Sequence, residues 1–283
     1  MIQSMTGYGK SILQLPSKKI TIEIKTLNSK NLDLNTRIPS KYREKEIQIR
    51  RKLAKELIRG KVDVSFYVEA TAEELTSQIN KEVVSQYLVQ LKGLGGEKDL
   101  LSIAMRLPDV LKTEREELDE NEWSSIEITI DDAIIQLQKF RTDEGEVLKL
   151  DFIERIEDIK NNLKAVIELD EERLLAVRER LYKAISDLKV TVDENRFEQE
   201  MIYYLEKLDI TEEKVRLNNH LNYFLEDLMG AVSNGKKLTF ISQEIGREIN
   251  TIGSKANFAP MQKLVVQMKD DLEKIKEQLL NVL

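Results

Sequence analysis

The chain has 283 residues, of which 41% are hydrophobic and 34% charged, with a net charge of −7 and no cysteine. That length can support two cores, and the lack of cysteine excludes disulfides, thiolate metal sites and cysteine nucleophiles. No apolar run approaches the roughly 20 residues of a membrane span, and a pI of about 5.2 argues against a uniformly basic nucleic-acid binder.

The first residues lack the basic-then-apolar order of an export signal, so the cytoplasm is the expected compartment. Residues 3–14 are expected to form a strand. Thr21-Ile-Glu-Ile-Lys25 alternates with period two, Asn28–Asn31 supplies a turn, and Leu32–Ile38 alternates again. Pro39-Ser40 precedes a helix over about 41–58, with Gly60 as its stop. Val62, Val64, Phe66 and Val68 form one face of a further strand, giving the order β-β-β-α-β.

The helix in this unit carries the charge asymmetry of the chain. Residues 41–61 hold nine Lys or Arg against three Glu, a local +6. On a helical projection Ile47, Ile49, Leu53, Ala54, Leu57 and Ile58 fill one half, and Lys41, Lys45, Arg51, Lys52, Lys55 and Arg59 the other. Such a ridge can contact successive RNA phosphates with salt-dependent affinity, and it can equally be a solvated face. Tyr42 is its lone aromatic, so this helix does not suggest base stacking.

Helices are expected over 80–93, before Gly95-Gly96, and near 99–112, where Pro108 should kink or split the helix. From about 126 Gly and Pro nearly vanish. Phe152, Ile156, Ile159, Leu163 and Val166 follow helical spacing. Leu174, Val177, Leu181, Ala184 and Leu188 resume it one residue out of phase, with Asp170 and Arg173 in the slip. Residues 145–188 read as an extended helical arm that needs another helix against its seam.

Thr211 is the expected N-cap of a helix whose first turn holds acids. Glu213, Arg216, His220, Tyr223 and Asp227 share one stripe of it, beside an apolar stripe of Leu217, Leu221, Phe224 and Leu228. His220 is the only histidine. Among acids it can be a general acid or base titrating near neutrality, or a half-buried histidine bonded to a neighbour. Glu213 and His220 are separated by about 10.5 Å of axial rise, too far to ligate one ion from a straight helix.

Over residues 235–257, Leu238, Ile241, Ile245, Ile249 and Ile252 form a narrow apolar stripe. Glu244, Arg247, Glu248, Thr251 and Lys255 lie on the opposite side. Glu244 and Glu248, four apart, can converge on Mg²⁺ or Mn²⁺, or belong to a salt-bridge ladder. In the last helix Met261, Val265, Met268, Leu272, Ile275, Leu279 and Val282 keep heptad spacing, as an oligomer seam or an intramolecular hairpin would require. No Walker motif, dinucleotide fingerprint or Gly-x-Ser-x-Gly elbow is present.

Taken in order, several segments resemble the YicC family of bacterial endoribonucleases almost end to end. They are Met1-Ile-Gln-Ser-Met-Thr-Gly-Tyr-Gly9, Glu23–Asp33, Arg59-Gly-Lys-Val62 and Arg141-Thr-Asp-Glu-Gly145. Lys207–Glu213, Arg216-Leu217, His220 and Gly235-Lys-Lys-Leu238 follow, and Gln243–Asn257 is the most specific. Phe258 departs from the pattern, which carries an acid after the Asn. The resemblance implies a cytoplasmic, divalent-metal-dependent cleavage of single-stranded or structured RNA by a homo-oligomer, a hexamer. It carries over Asp209, Glu213, Arg216, His220, Glu244, Arg247, Glu248 and Lys255 as site residues.

The expected fold is α+β. A small β-rich α/β domain, 1–125, would hold the basic helix 41–59; a long helical arm, 126–190, would lead to a mainly helical domain, 191–283, with the active site. Glu244 and Glu248, with Asp209 or Glu213, would hold Mn²⁺ or Mg²⁺. His220 would move the proton, and Arg216, Arg247 and Lys255 would stabilise the phosphoryl charge. The competing readings are an oligomeric RNA-binding adaptor that presents RNA to another nuclease, and a helical scaffold that binds proteins through 261–282.

Overall fold

The computed structural model describes residues 2–70, 78–94, 99–112, 119–187, 194–231 and 233–283. The Gly95-Gly96 pair, Leu188 and the 190/191 boundary lie outside the described residues. The class is α+β. Strands β1 (Gly7–Gln14), β2 (Lys18–Leu27), β3 (Leu32–Arg37) and β4 (Gly60–Ala70) form one sheet in the order β1-β2-β4-β3. β3 and β4 are parallel, from Leu32 opposite Gly60 to Arg37 opposite Ser65. A parallel pair needs a crossover, and helix α1 (Glu46–Glu56) supplies it.

The basic segment is not one continuous α-helix. Ser40–Lys45 is a 3₁₀ turn and only then does α1 begin. The tighter turn shifts the phase, so the face that is buried consists of Tyr42, Ile49, Leu53 and Leu57. Ile47, Ala54 and Ile58 are exposed, against the even division expected from an unbroken helix. Leu57 already has extended backbone, so Ile58 has left the helix altogether.

Asn80 caps α2 (Lys81–Gly93) by accepting from the Val83 N–H. The helix expected near 99–112 is much shorter: α3 covers only Leu100–Ala104. Pro108 disfavours helical backbone at Leu107, and Asp109 adopts a positive φ of 62°. The chain then turns into β6 (Leu111–Lys112), which pairs antiparallel with β5 (Gln78–Ile79).

Two compact units result. One comprises Tyr8–Thr26 and Asn31–Leu137; the other comprises Met1–Gly7, Leu27–Lys30 and Gln138–Leu283. Helix α4 (Glu120–Asp187) is 68 residues long and contributes to both. In the first unit its Trp123, Ile126, Ile130, Ala133 and Leu137 are buried in one core with Ile20, Ile22, Ile24, Val62 and Val64 of the sheet. Glu122 on the same helix takes the Tyr42 hydroxyl on Oε1 and Lys18 Nζ on Oε2 at 2.9 Å, with Lys41 at 3.5 Å.

The second unit is helical. Phe152, Ile156, Ile159, Leu163 and Val166 of α4 are buried with the apolar stripes of α6 (Thr211–Leu228), α7 (Gly235–Lys255) and α8 (Ala259–Leu279), which follow α5 (Glu194–Lys207). Met261, Val265, Met268, Leu272, Ile275, Leu279 and Val282 all belong to this core. The heptad stripe is therefore spent inside the chain, and the oligomer-seam reading of it is set aside. Phe258 packs against the core at the entry to α8. Gln262 Nε2 donates there to the carbonyls of Gly253 and Ala256, both at 2.6 Å, completing the exit of α7.

The phase slip in α4 is a buried ion cluster. Arg173 donates to Asp170 at 2.8 Å and to the Leu208 carbonyl at 3.0 Å, and Lys214 reaches Asp170 at 2.6 Å. Beyond it only Val177 of the second stripe is buried, while Leu174 and Leu181 are half-buried and Ala184 is exposed.

Two of the matching motifs are architectural. The N-terminal segment runs beside α4, with the Ser4 N–H donating to the Arg141 carbonyl at 2.9 Å and Thr6 Oγ1 to Glu144 at 2.7 Å. A Cβ on Gly145 would sit 2.2 Å from the Ile2 carbonyl oxygen, so only glycine admits this approach. Arg141 is buried with one bond to the Met5 carbonyl, and desolvation draws its pKa down to about 10.

Candidate active site on the α6–α7 seam

Two amphipathic stripes bring the polar residues together. Leu217, Leu221, Phe224 and Leu228 on α6 and Leu238, Ile241, Ile245, Ile249 and Ile252 on α7 are all buried. Their burial turns the neighbouring edges of the two helices toward one another, and those edges carry the acids and bases.

The entry to α6 differs from expectation. Ile210, not Thr211, holds the cap position, with no side-chain bond. Asp209 does the capping, its Oδ1 accepting from the Thr211 N–H at 3.2 Å and the Thr211 hydroxyl at 2.8 Å. The Thr211 hydroxyl bond, ahead of the backbone bonds, holds the Asp209 carboxyl below its usual range.

Lys255, at the end of α7, donates to Glu213 Oε1 at 2.7 Å and to the Asp209 carbonyl at 2.9 Å. Glu213 is buried, and its Oε2 has no hydrogen-bond partner. At the other end Lys237 binds Asp227 Oδ1 and lies 4.7 Å from the centre of the Tyr223 ring. The bond to Asp227 raises the Lys237 pKa, with a further contribution from Tyr223.

Between these two ion pairs lies Glu248. It is 6% exposed and lies inside α7. Burial pushes its carboxyl pKa up; Arg216 opposes this, Glu213 adds to it, His220 opposes it and Glu244 adds to it. His220 and Glu244 are half-buried and Arg216 is exposed. Arg216 pairs with Glu212 on its own helix, and Arg247 lies 3.6 Å from Glu244. Thr251 spends its hydroxyl on the Arg247 carbonyl.

Glu213, Arg216, His220, Glu244, Glu248 and Lys255 thus form one continuous group, with Arg247 at its outer margin. The three-carboxylate set Glu244, Glu248 and Asp209 is not gathered. No three Asp, Glu or His side chains converge to hold a metal ion among the described residues, and Asp209 is engaged as a cap. Glu244 and Glu248 stand four residues, about one helical turn, apart on α7.

The residues of the basic ridge divide. Lys41 pairs with Glu122 at 3.5 Å, Lys45 with Glu120 at 3.1 Å and Lys52 with Asp131 at 2.6 Å. Arg51 and Lys55 are exposed and Arg59 half-buried. The acids that answer this ridge lie 75–81 residues downstream, so local charge counting overstates its free charge.

Lys237 was not among the residues singled out from sequence, although a signal existed. It precedes Lys255 by 18 residues, five full turns, and so shares its stripe.

The chain matches "Endoribonuclease YicC-like, N-terminal region" over residues 2–150 and "Endoribonuclease YicC-like, C-terminal" over residues 159–283. It is 33% identical over 292 residues to a probable endoribonuclease YicC of Clostridioides difficile, with both chains covered completely. The corresponding protein of Haemophilus influenzae is 30% identical over 288 residues, again at full coverage. Matched across both of its regions and end to end by these relatives, the chain belongs to the YicC-like endoribonuclease family.

Proposed function

We propose that this chain is an endoribonuclease that hydrolyses RNA phosphodiester bonds on the α6–α7 seam. One observation carries the reading: a largely buried residue, Glu248, whose carboxyl pKa burial pushes up and which interacts with Arg216, Glu213, the chain's only histidine and Glu244. Carboxylates whose pKa is shifted by burial and by specific charged neighbours concentrate at sites of proton transfer or cation binding.

In this scheme His220 moves the proton between the attacking or leaving oxygen and solvent, with Glu248 beside it. Arg216 and Arg247, both exposed, meet the charge that develops on the phosphoryl oxygens. Glu213 and Lys255, expected to be catalytic, are assigned a positioning role, since each is committed to the other. Glu244 and Glu248 would hold Mg²⁺ or Mn²⁺, which when bound supplies a polarised phosphoryl oxygen and a water of lowered pKa. Arg51 and Lys55 would track flanking phosphates. Assembly into a homo-oligomer, hexameric as the family resemblance implies, would concentrate several such faces and let a chain of net charge −7 bind RNA in the cytoplasm. Among the described residues no helix is long and apolar enough to cross a membrane.

Purified protein assayed on end-labelled RNA tests this reading. Cleavage lost on EDTA treatment, restored by Mn²⁺, and abolished in His220→Ala and Glu248→Ala is the expected result. Equal cleavage by both variants would move the active site elsewhere. Salt-dependent binding without cleavage would favour the adaptor.

A further inference from the structure

Two exposed aromatic rings adjoin this seam without serving the chemistry above. Tyr223 on α6 is 45% exposed and Phe240 on α7 is 62% exposed. Neither ring contributes to the buried core. Aromatic residues are poorer helix formers than Ala, Glu or Lys, so a solvated helix face gains nothing from them locally.

Their positions are systematic. Tyr223 follows His220 by three residues, and Phe240 precedes Glu244 by four, so each ring is about one turn from a residue of the polar group. Both rings also flank the Lys237–Asp227 ion pair that joins the two helices: Tyr223 is four residues before Asp227, and Phe240 three after Lys237. The Lys237 ammonium is held over one face of Tyr223 and is itself bonded to Asp227. The ring is thus restrained by Lys237 while much of the residue stays exposed. A preorganised ring loses little conformational freedom when a flat ligand stacks on it.

We propose that Tyr223 and Phe240 form a stacking subsite for an unpaired nucleobase of RNA next to the bond cleaved at the His220–Glu248 group. The proposal rests on the nuclease reading for its position beside the reaction. Every base has a π-face, so the subsite selects unpaired nucleotides over paired ones without selecting sequence. It complements the basic ridge, whose contacts are to phosphates.

The test uses full-length protein and a single-stranded oligoribonucleotide carrying 2-aminopurine, whose fluorescence is quenched on aromatic stacking. Quenching should be seen with wild type and be lost in Tyr223→Ala and Phe240→Ala, with binding roughly 5- to 100-fold weaker. Tyr223→Trp should keep it, a result that a mere loss of charge or fold would not give. In cleavage assays the alanine variants should raise KM with kcat retained. Quenching and affinity unchanged in both alanine variants overturn the subsite, even where the wild type cleaves RNA. Loss of quenching with no cleavage by wild type leaves the subsite standing and removes the nuclease reading instead.

Discussion

The basic helix α1 and the α6–α7 seam are both charged faces on amphipathic helices, yet their charges meet different fates. On α1 and the turn before it, Lys41, Lys45 and Lys52 each meet an acid of α4. On the seam, Lys255–Glu213 and Lys237–Asp227 are paired through one oxygen each. Among the described residues, Glu213 Oε2 and Asp227 Oδ2 are buried without a partner, and Glu248 between the pairs is 6% exposed and outside any ion pair. Charge that is answered holds a fold together. A buried carboxyl whose pKa is raised costs stability when ionised, and such groups cluster at functional sites.

The sharpest way to break this contrast is to neutralise one carboxylate from each region. Glu248→Gln should lower cleavage by about 10²–10⁴-fold, while the melting temperature stays level or rises, because the amide relieves a buried charge. Parallel single-turnover and thermal-melt measurements decide it; a fall in both would make Glu248 structural. Glu122→Ala should do the reverse. It removes the partner of the buried Lys18 ammonium and one bond of the Tyr42 hydroxyl, at about 3 kcal/mol, with cleavage per folded molecule retained.

The two regions also separate by pH. Burial alone would raise the Glu122 pKa, but the Tyr42 and Lys18 bonds override it and hold the carboxyl below its ordinary 4.5. The unfolded chain then binds more protons, so the stability Glu122 contributes is present above about pH 4.5 and is lost as pH falls through the folded-state value. An acid-unfolding titration should show this limb in wild type and a flatter one in Glu122→Ala. A smaller effect is expected on RNA affinity. Arg51→Ala and Lys55→Ala should each reduce the slope of log affinity against log salt by about one. Lys52→Ala should leave that slope nearly unchanged, since Asp131 already neutralises it.

The seam was legible because helical periodicity has local causes. The apolar residues of 235–257 dictate which edge of α7 faces α6, and with it where Glu244, Glu248 and Lys255 point. What stayed hidden depends on distant partners. Nothing near Lys41, Lys45 or Lys52 announces that Glu122, Glu120 and Asp131 will meet them. The burial of the heptad stripe of α8 against α4, α6 and α7 is likewise a tertiary outcome that spacing alone leaves open. Asp209 misled for a different reason: an aspartate two residues before a helix reads as a ligand in a motif and as a cap in the structure. The break of α3 was legible in Pro108, and its early end follows because a proline restricts the residue before it as well as its own position.

The smallest effect expected here concerns the pair at the outer rim of the seam. Arg216 and Glu212 are an i,i+4 pair, both well exposed. Such pairs are worth at most about 0.5 kcal/mol, so Glu212→Ala should leave the melt within error. Function should respond differently. Glu212 competes with an RNA phosphate for the Arg216 guanidinium, so removing it should lower KM by about two- to five-fold at low salt. This gain should vanish as salt screens the site. Arg216→Ala should instead lower kcat. Opposite effects on KM and kcat from the two members of one ion pair would show that Arg216 meets the phosphate. Equal and harmless effects would make the pair a solvated ladder, like the answered charges of α1.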